Sequence, residues 1–342
     1  MDALPENVSA PAAPLTPAQA WKARRLDLPS LVAAHDPRAP KPWVVEPFAI
    51  KGTLAVLAGK GGVGKTWVMH EAAAAVAEGT YRAGLRGAAA GRAVIFDAEM
   101  GQWLTVDRFA SQQYPTSIEV VNAQGLDLRT EEGRAIVWAA LDELQPAFVG
   151  FDSLKALTPS GKENESDDMG PVVNWIRAAL DQLESKPAGL LLHHAGWKED
   201  RTRGSSAIKD RVDAVWYLNS PEDDGTQKLS CRGADLKAPR WCRPPDDLFV
   251  RLREEGGLEL ADAPPSREER ESSRDEEIVA LIKDSRGLSG RVVAEQLGID
   301  KNRCSARLKF LANAGRIERE GSGAATRWHY LDPSSAVDAP GF

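Results

Sequence analysis

Cysteine is scarce: only Cys231, Cys242 and Cys304 occur in 342 residues. Their spacing makes no close metal-ligand pair, and an odd, small number suits reduced thiols in a cytoplasm. Long apolar runs are missing as well. None approaches the roughly 18 residues that span a bilayer, so no membrane partner is expected. The opening Met1-Asp2-Ala3-Leu4-Pro5-Glu6 lacks the basic start and apolar core of a secretory leader. Excess positive charge is also absent. The formal net charge of −7 excludes a protein that coats nucleic acid over its whole surface, though it leaves local basic surfaces open. Aromatic residues make up 6%, yet ten are tryptophans. They are scattered, which suits core and interface positions.

What remains is ordinary globular material, 42% hydrophobic and 27% charged, in a chain long enough for two domains. Residues 1–40 are rich in Ala and Pro and read as a flexible arm with one short helix near 17–27. Apolar runs at 53–58, 92–97, 147–152, 188–193 and 213–218 read as buried parallel strands, with a weaker sixth at 118–121. Helical segments alternate with them, notably 132–144 and 172–184. This alternation predicts an α/β domain over 41–260, with a mostly parallel central sheet and ligands at the strand C-termini. Segments 228–232 and 248–253 are expected to add antiparallel strands at an edge. A polar, charged linker is expected at 261–274, a second small domain at 275–331 and a disordered tail at 332–342.

Between the first apolar run and a helix-favouring segment lies Gly59-Lys60-Gly61-Gly62-Val63-Gly64-Lys65-Thr66. It fits G-x-x-x-x-G-K-[ST], the phosphate-binding loop of P-loop NTPases. Its glycines let backbone N–H groups converge on phosphate oxygens. Lys65 brings positive charge to the β- and γ-phosphates, and the Thr66 hydroxyl suits Mg²⁺. From Trp67 onward a helix points its N-terminus at the phosphates. ATP and Mg²⁺ are therefore the expected ligands, on residues 59–67.

Phosphoryl transfer also needs a metal-holding acid and a group that orients water. Asp152 ends the apolar strand Ala147 to Phe151 and fits the first role, together with Thr66. For the second, Glu99 follows the strand Ala93 to Phe96, and Asp97 competes with it. His193-His194 end another buried strand, where a histidine can sense the γ-phosphate. The loop Arg201-Thr202-Arg203-Gly204-Ser205-Ser206 suits phosphate or a neighbouring subunit.

Taken together, several stretches resemble the RepA-like hexameric ATPases of the RecA-type helicase group, which includes DnaB-like helicases. They are the P-loop, Asp97-Ala98-Glu99, Phe151-Asp152-Ser153-Leu154, Glu163-Asn164-Glu165 ahead of Asp168-Met169, His193-His194-Ala195-Gly196 and Arg203-Gly204-Ser205-Ser206-Ala207. The resemblance covers roughly 41–255 and implies a RecA-like P-loop core. It carries Lys65 and Thr66 onto the nucleotide and Mg²⁺ residues, Glu99 onto the catalytic glutamate, and Asp152 onto Walker B. His194 becomes the link between nucleotide state and DNA. It also implies ATP between the subunits of a homo-oligomer, a hexamer, with an arginine supplied by the neighbour. Arg203, Arg211 and Arg232 are the candidates. Arg232 lies in Ser230-Cys231-Arg232, where DnaB-like relatives carry Lys-x-Arg. The loop also fits the deviant Walker A of ParA-type partition ATPases, with Lys60 as the cross-dimer lysine and Asp97 after the second strand. Against that stand Trp67 in place of a second threonine, and the His-His and Arg-Gly-Ser-Ser stretches.

The region 275–331 resembles a winged helix-turn-helix: helices at 278–282, 289–297 and 301–314, a turn at Gly298-Ile299-Asp300, and strands at 316–319 and 326–330 around a wing. It holds ten Lys and Arg against eight Asp and Glu. Lys301, Asn302, Arg303, Arg307, Lys309 and Arg327 are the expected DNA contacts, and such a module also docks proteins. The expected function is an ATP-hydrolysing DNA motor or loader in replication, taking single-stranded DNA in a ring or filament and duplex at the winged helix. A RecA-like recombination or annealing ATPase and an ATP-controlled DNA-binding regulator are the alternatives.

Overall fold

The computed structural model describes residues 16, 18–19, 22, 25–159, 166–194, 206–232, 236–265 and 267–331. Of the helix expected at 17–27, residues 17, 20, 21, 23 and 24 fall outside them. The first described helix of any length is Leu28–Ala34, which buries none of its residues.

Nine strands form the main sheet: β1 (Leu54–Gly59), β2 (Ala93–Asp97), β3 (Glu119–Asn122), β4 (Phe148–Asp152), β5 (Ala188–His194), β6 (Ala214–Leu218), β7 (Thr226–Ser230), β8 (Leu248–Leu252) and β9 (Leu258–Leu260). Their order is β9-β8-β7-β6-β1-β5-β4-β2-β3. All six expected parallel strands are present, and each neighbouring pair from β6 to β3 is parallel. β7 runs antiparallel to β6, as expected of the edge. Every residue of β1, β2, β4 and β6 is buried, because helices cover both faces of a parallel sheet. Those helices include α1 (Lys65–Glu78), α3 (Glu131–Leu144) and α4 (Ser166–Gln182), while α2 (Gln102–Ser111), which follows β2, buries none of its residues. Phe96 and Phe151, side by side on β2 and β4, stack at 5.4 Å between ring centroids.

The order places the P-loop strand β1 centrally, between β6 and β5. Its start is fixed by buried Asp213, which accepts the Leu54 backbone N–H at 3.0 Å. The same carboxylate holds Arg177 at 3.0 Å and Arg240 at 3.1 Å. One element escaped the sequence reading. A four-stranded antiparallel sheet joins Ala49–Ile50, Trp43–Glu46, Leu85–Gly87 and Tyr81–Arg82. Strands of two to four residues leave no periodic pattern to read.

By contact the chain divides into two compact units: 1–220, 229–247 and 252–259 in one, and 221–228, 248–251 and 260–342 in the other. The second contains helices α5 (Arg267–Lys283), α6 (Gly290–Gln296) and α7 (Lys301–Asn313), and a hairpin of β10 (Ile317–Glu320) and β11 (Arg327–Tyr330). The charged run expected as linker is helical from Arg267, eleven residues ahead of the expected helix start at Ile278. The core of this module is Ile278, Ile282, Val293, Cys304, Leu308, Leu311, Ile317 and Trp328. Side-chain caps start both later helices: Ser289 accepts the Val292 N–H, and Asp300 those of Asn302 and Arg303.

Asp213→Ala leaves two arginines and a buried N–H without their acceptor. The expected cost is about 3 kcal/mol, read as a lower urea midpoint at unchanged slope.

Candidate nucleotide site and winged-helix groove

The P-loop leaves β1 and enters α1 with Gly62 at φ +76° and Gly64 at φ +98°. Gly64 is the N-cap of α1, a left-handed position that a side chain would strain. The turn sets Lys65 and Thr66 in the first turn of α1, over the carboxyl edge of the sheet. There the register aligns Gly59 with His194, and Asp97 with Asp152.

The side chains converge. Thr66 Oγ1 donates to Asp152 Oδ2 at 2.7 Å. Lys65 Nζ donates to the carbonyls of Gly59 at 3.0 Å and Lys60 at 2.8 Å, and lies 3.4 Å from His194 Nδ1. His194 Nε2 lies 3.2 Å from Glu99 Oε1, which also accepts the Ser153 hydroxyl. Two hydrogen-bonded groups result, Thr66 with Asp152 and Lys65 with His194 and Glu99, and they adjoin through the consecutive residues Lys65 and Thr66 to make one cluster. Ser153 is a member the sequence reading did not assign, although it adjoins Asp152.

Electrostatics separate the three acids. Burial pushes Asp152 up to about 7, and the charges of Glu99 and Asp97 push the same way, against the Thr66 hydrogen bond and Lys65. Burial raises Asp97 as well. Glu99 goes down, chiefly through the His194 hydrogen bond and then that of Ser153. Lys65 is lowered by burial, against the attraction of Asp152 and Glu99. Asp97 and Glu99 also differ in what they hold. Asp97 Oδ1 accepts the backbone N–H groups of Glu99 at 3.0 Å and Met100 at 2.8 Å, so it shapes the turn. Glu99 bonds only side chains of the cluster.

A hydroxyl beside a buried carboxylate suits Mg²⁺, which takes one or two protein ligands and completes its shell with phosphate oxygens and water. Thr66 and Asp152 make that set. Among the described residues no group of three or more His, Cys, Asp or Glu could hold a metal by itself.

Other expected site residues are placed differently. The Trp67 ring is taken up by protein contacts, with the Arg108 guanidinium 4.5 Å from its centroid and His70 edge-on at 6.2 Å. Its backbone stays in the first turn of α1. Arg232 is held at the surface, donating to the Pro244 carbonyl at 3.1 Å and to Asp246 at 2.7 Å, and it is not joined to the cluster. Arg203 and the rest of 195–205 lie outside the described residues. Arg211 ends the helix Ser206–Arg211 and packs its guanidinium against Gly170.

In the C-terminal module a groove of about 770 Å³ is lined by Arg291, Lys301, Lys309, Arg319 and Arg327 with Ser289, Ser305 and Thr326, and by no acid among the described residues. Lys301, Ser305 and Lys309 share it because they are four residues apart on α7. Arg307 corrects the sequence reading. It donates to both oxygens of Asp275 and, at 3.1 Å, to Glu271, and its guanidinium lies 4.4 Å from the Phe310 ring centroid. It staples α7 to α5 and is not a free DNA contact. Arg303 lines a different groove with Glu271 and Glu277. Asn302 stays exposed. Arg291 and Arg319 were missed, since only the fold carries them to α7.

Fold and cluster define a P-loop nucleotide-binding protein with a RecA-like core and a C-terminal winged helix. The chain belongs to the AAA domain family, whose model matches residues 22–200, more than half of it. A second model, described as winged helix-turn-helix DNA-binding, matches residues 272–318. Among solved structures, the crystal structure of a KaiC-like protein from the hyperthermophilic archaeon Pyrococcus horikoshii OT3 is similar at 15% identity and a TM-score of 0.47, covering 66% of this chain and 99% of that one. No curated protein matches the chain. Among the described residues, no helix is long and apolar enough to cross a membrane.

With Asp152 at about 7, the folded chain keeps a proton that the unfolded chain loses near pH 4. The contribution of this group to stability therefore falls as pH rises from about 4 to about 7. Denaturant titrations without nucleotide or metal are expected to show that decline, and Asp152→Asn to flatten it.

Proposed function

We propose that this chain is an ATP-hydrolysing oligomer that engages DNA, of the RepA/DnaB-like helicase type. The observation that carries the reading is the cluster of Lys65, Thr66, Glu99, Asp152 and His194 on one sheet edge. Fold and family membership support it by placing that cluster in an AAA domain. The ATPase domain would run over 41–260 and the winged helix over 275–331, extended by the start of α5.

Each residue has a role that follows from its environment. Backbone N–H groups of residues 59–67 and the Lys65 ammonium bind the β- and γ-phosphates. Thr66 and Asp152 would hold Mg²⁺, which would supply charge neutralisation at the phosphates. Glu99, kept ionised by His194 and Ser153, orients the attacking water and accepts its proton. Asp97 has Oδ1 committed to the turn and Oδ2 facing the Thr105 hydroxyl, which favours Glu99 as that base. His194 touches both Lys65 and Glu99, so a phosphate that draws Lys65 away would alter the contacts of the last residue of β5. In a ring, a neighbour's arginine would complete the site, with Arg203, Arg211 and Arg232 as candidates. Single-stranded DNA would pass through the ring.

The acid-free groove of the winged helix supports DNA binding there. The same groove favours a second reading, an ATP-controlled regulator that reads duplex. A forked-duplex unwinding assay with ATP separates the two. Unwinding supports the motor, whereas tight sequence-specific duplex binding without unwinding supports the regulator.

Lys65→Ala is expected to remove ATP turnover while circular dichroism stays unchanged. Glu99→Gln is expected to slow hydrolysis by about 10²- to 10⁴-fold and keep ATP bound, with Asp97→Asn lacking that signature. For the groove, Lys309→Ala is expected to lower the salt slope of DNA binding by about one. Arg307→Ala is expected to cost stability instead, seen in a thermal melt.

A further inference from the structure

Arg108 is the cation of this site that no motif announces. It lies on α2, nine residues after Glu99, with its guanidinium over the ring of Trp67, the residue that follows Thr66. Besides His70, that ring meets the loop between β8 and β9, where a Cβ on Gly256 would come within 3.0 Å of Trp67 Cη2. This loop is itself tied to α2, since Gln112 accepts from Arg253 at 2.7 Å and donates to the Glu255 carbonyl at 2.9 Å. The aromatic ring therefore holds the guanidinium against the first turn of the P-loop helix. Asp152 and Asp97 both act on it electrostatically. Even so, its Nη1 is buried and has no hydrogen-bond partner among the described residues. A buried charged donor without an acceptor is costly. The acids nearby are engaged elsewhere: Asp152 with Thr66, and Asp97 with the turn at Glu99 and Met100. An acceptor from outside the chain is what this N–H lacks. In the first turn of a helix whose amides face phosphate, the group that brings spare anionic oxygens is a polyphosphate.

We propose that Arg108 is a second phosphate-binding cation of the nucleotide site, supplied by the same subunit as the P-loop and steered by Trp67. Its free N–H donates to a phosphate oxygen when a nucleoside di- or triphosphate binds. The inference rests on the nucleotide-site reading given above and adds a residue to it.

The test uses the full chain and measures Kd for Mg·ATP, Mg·ADP and adenosine, with the thermal midpoint of the nucleotide-free protein. Arg108→Gln is expected to weaken ATP and ADP by at least about 10-fold, the scale of one charge-assisted hydrogen bond. The nucleotide-free midpoint is expected to hold or rise, because an unsatisfied buried charge has gone. Arg108→Lys is expected to recover part of the affinity. Should Arg108→Gln not fold, the wild-type chain still decides. An arginine-specific dicarbonyl reagent is expected to label Arg108 about 10-fold more slowly with ADP or ATP and unchanged with adenosine. ATP and ADP affinities equal to wild type in folded Arg108→Gln, or labelling indifferent to ATP, overturn the proposal alone. A wild-type chain that binds no ATP overturns both it and the nucleotide reading.

Discussion

Three carboxylates crowd the carboxyl edge of the sheet, and the rest of the site is arranged around keeping them there. Asp97 and Asp152 sit opposite each other in register on adjacent strands, and Glu99 follows two residues after Asp97. Like charges this close raise one another's cost of ionisation, and burial adds to it. The chain meets the problem with three separate devices. Backbone amides absorb Asp97, a hydroxyl from α1 absorbs Asp152, and His194 with Ser153 absorbs Glu99. Asp152 remains the strained member, pushed to about 7. A divalent cation beside it would relieve that strain, so metal binding would be coupled to the ionisation of Asp152.

How much of this could be read from residues alone follows from how local each signal is. The six parallel strands are legible because strands buried on both faces are uninterrupted apolar runs. The P-loop is legible because its glycines and its Lys-Thr pair are consecutive. Asp152 and His194 are legible because each ends such a run. The choice between Asp97 and Glu99 needed the turn at Met100, whose N–H groups commit one of them. Arg108 was invisible, since it belongs to no motif and its partner Trp67 lies 41 residues earlier. Arg307 misled for the reverse reason. A basic residue on a recognition helix looks like a DNA contact until Asp275 and Glu271 of another helix are seen holding it.

The winged helix shows how a nearly balanced composition hides a strongly polarised surface. Most of its acids lie on α5 and β10, and several on α5 meet arginines: Asp275 and Glu271 with Arg307, and Glu276 with Arg316. Pairing those arginines away leaves Lys301, Lys309, Arg291, Arg319 and Arg327 to share a groove without an acid. Net charge averages over both faces, and so says little about either.

His194 joins a group that can only donate, the Lys65 ammonium at Nδ1, to one that accepts, the ionised Glu99 at Nε2. That contact fixes the neutral imidazole as the Nε2–H tautomer, with its lone pair aimed at Lys65. A bound phosphate would compete for the same ammonium. Were Lys65 to turn to it, the Nδ1 lone pair would lose its donor and need another from water or by a turn of the ring. The imidazole would then register a filled P-loop as a change of hydrogen-bond partner at the last residue of β5.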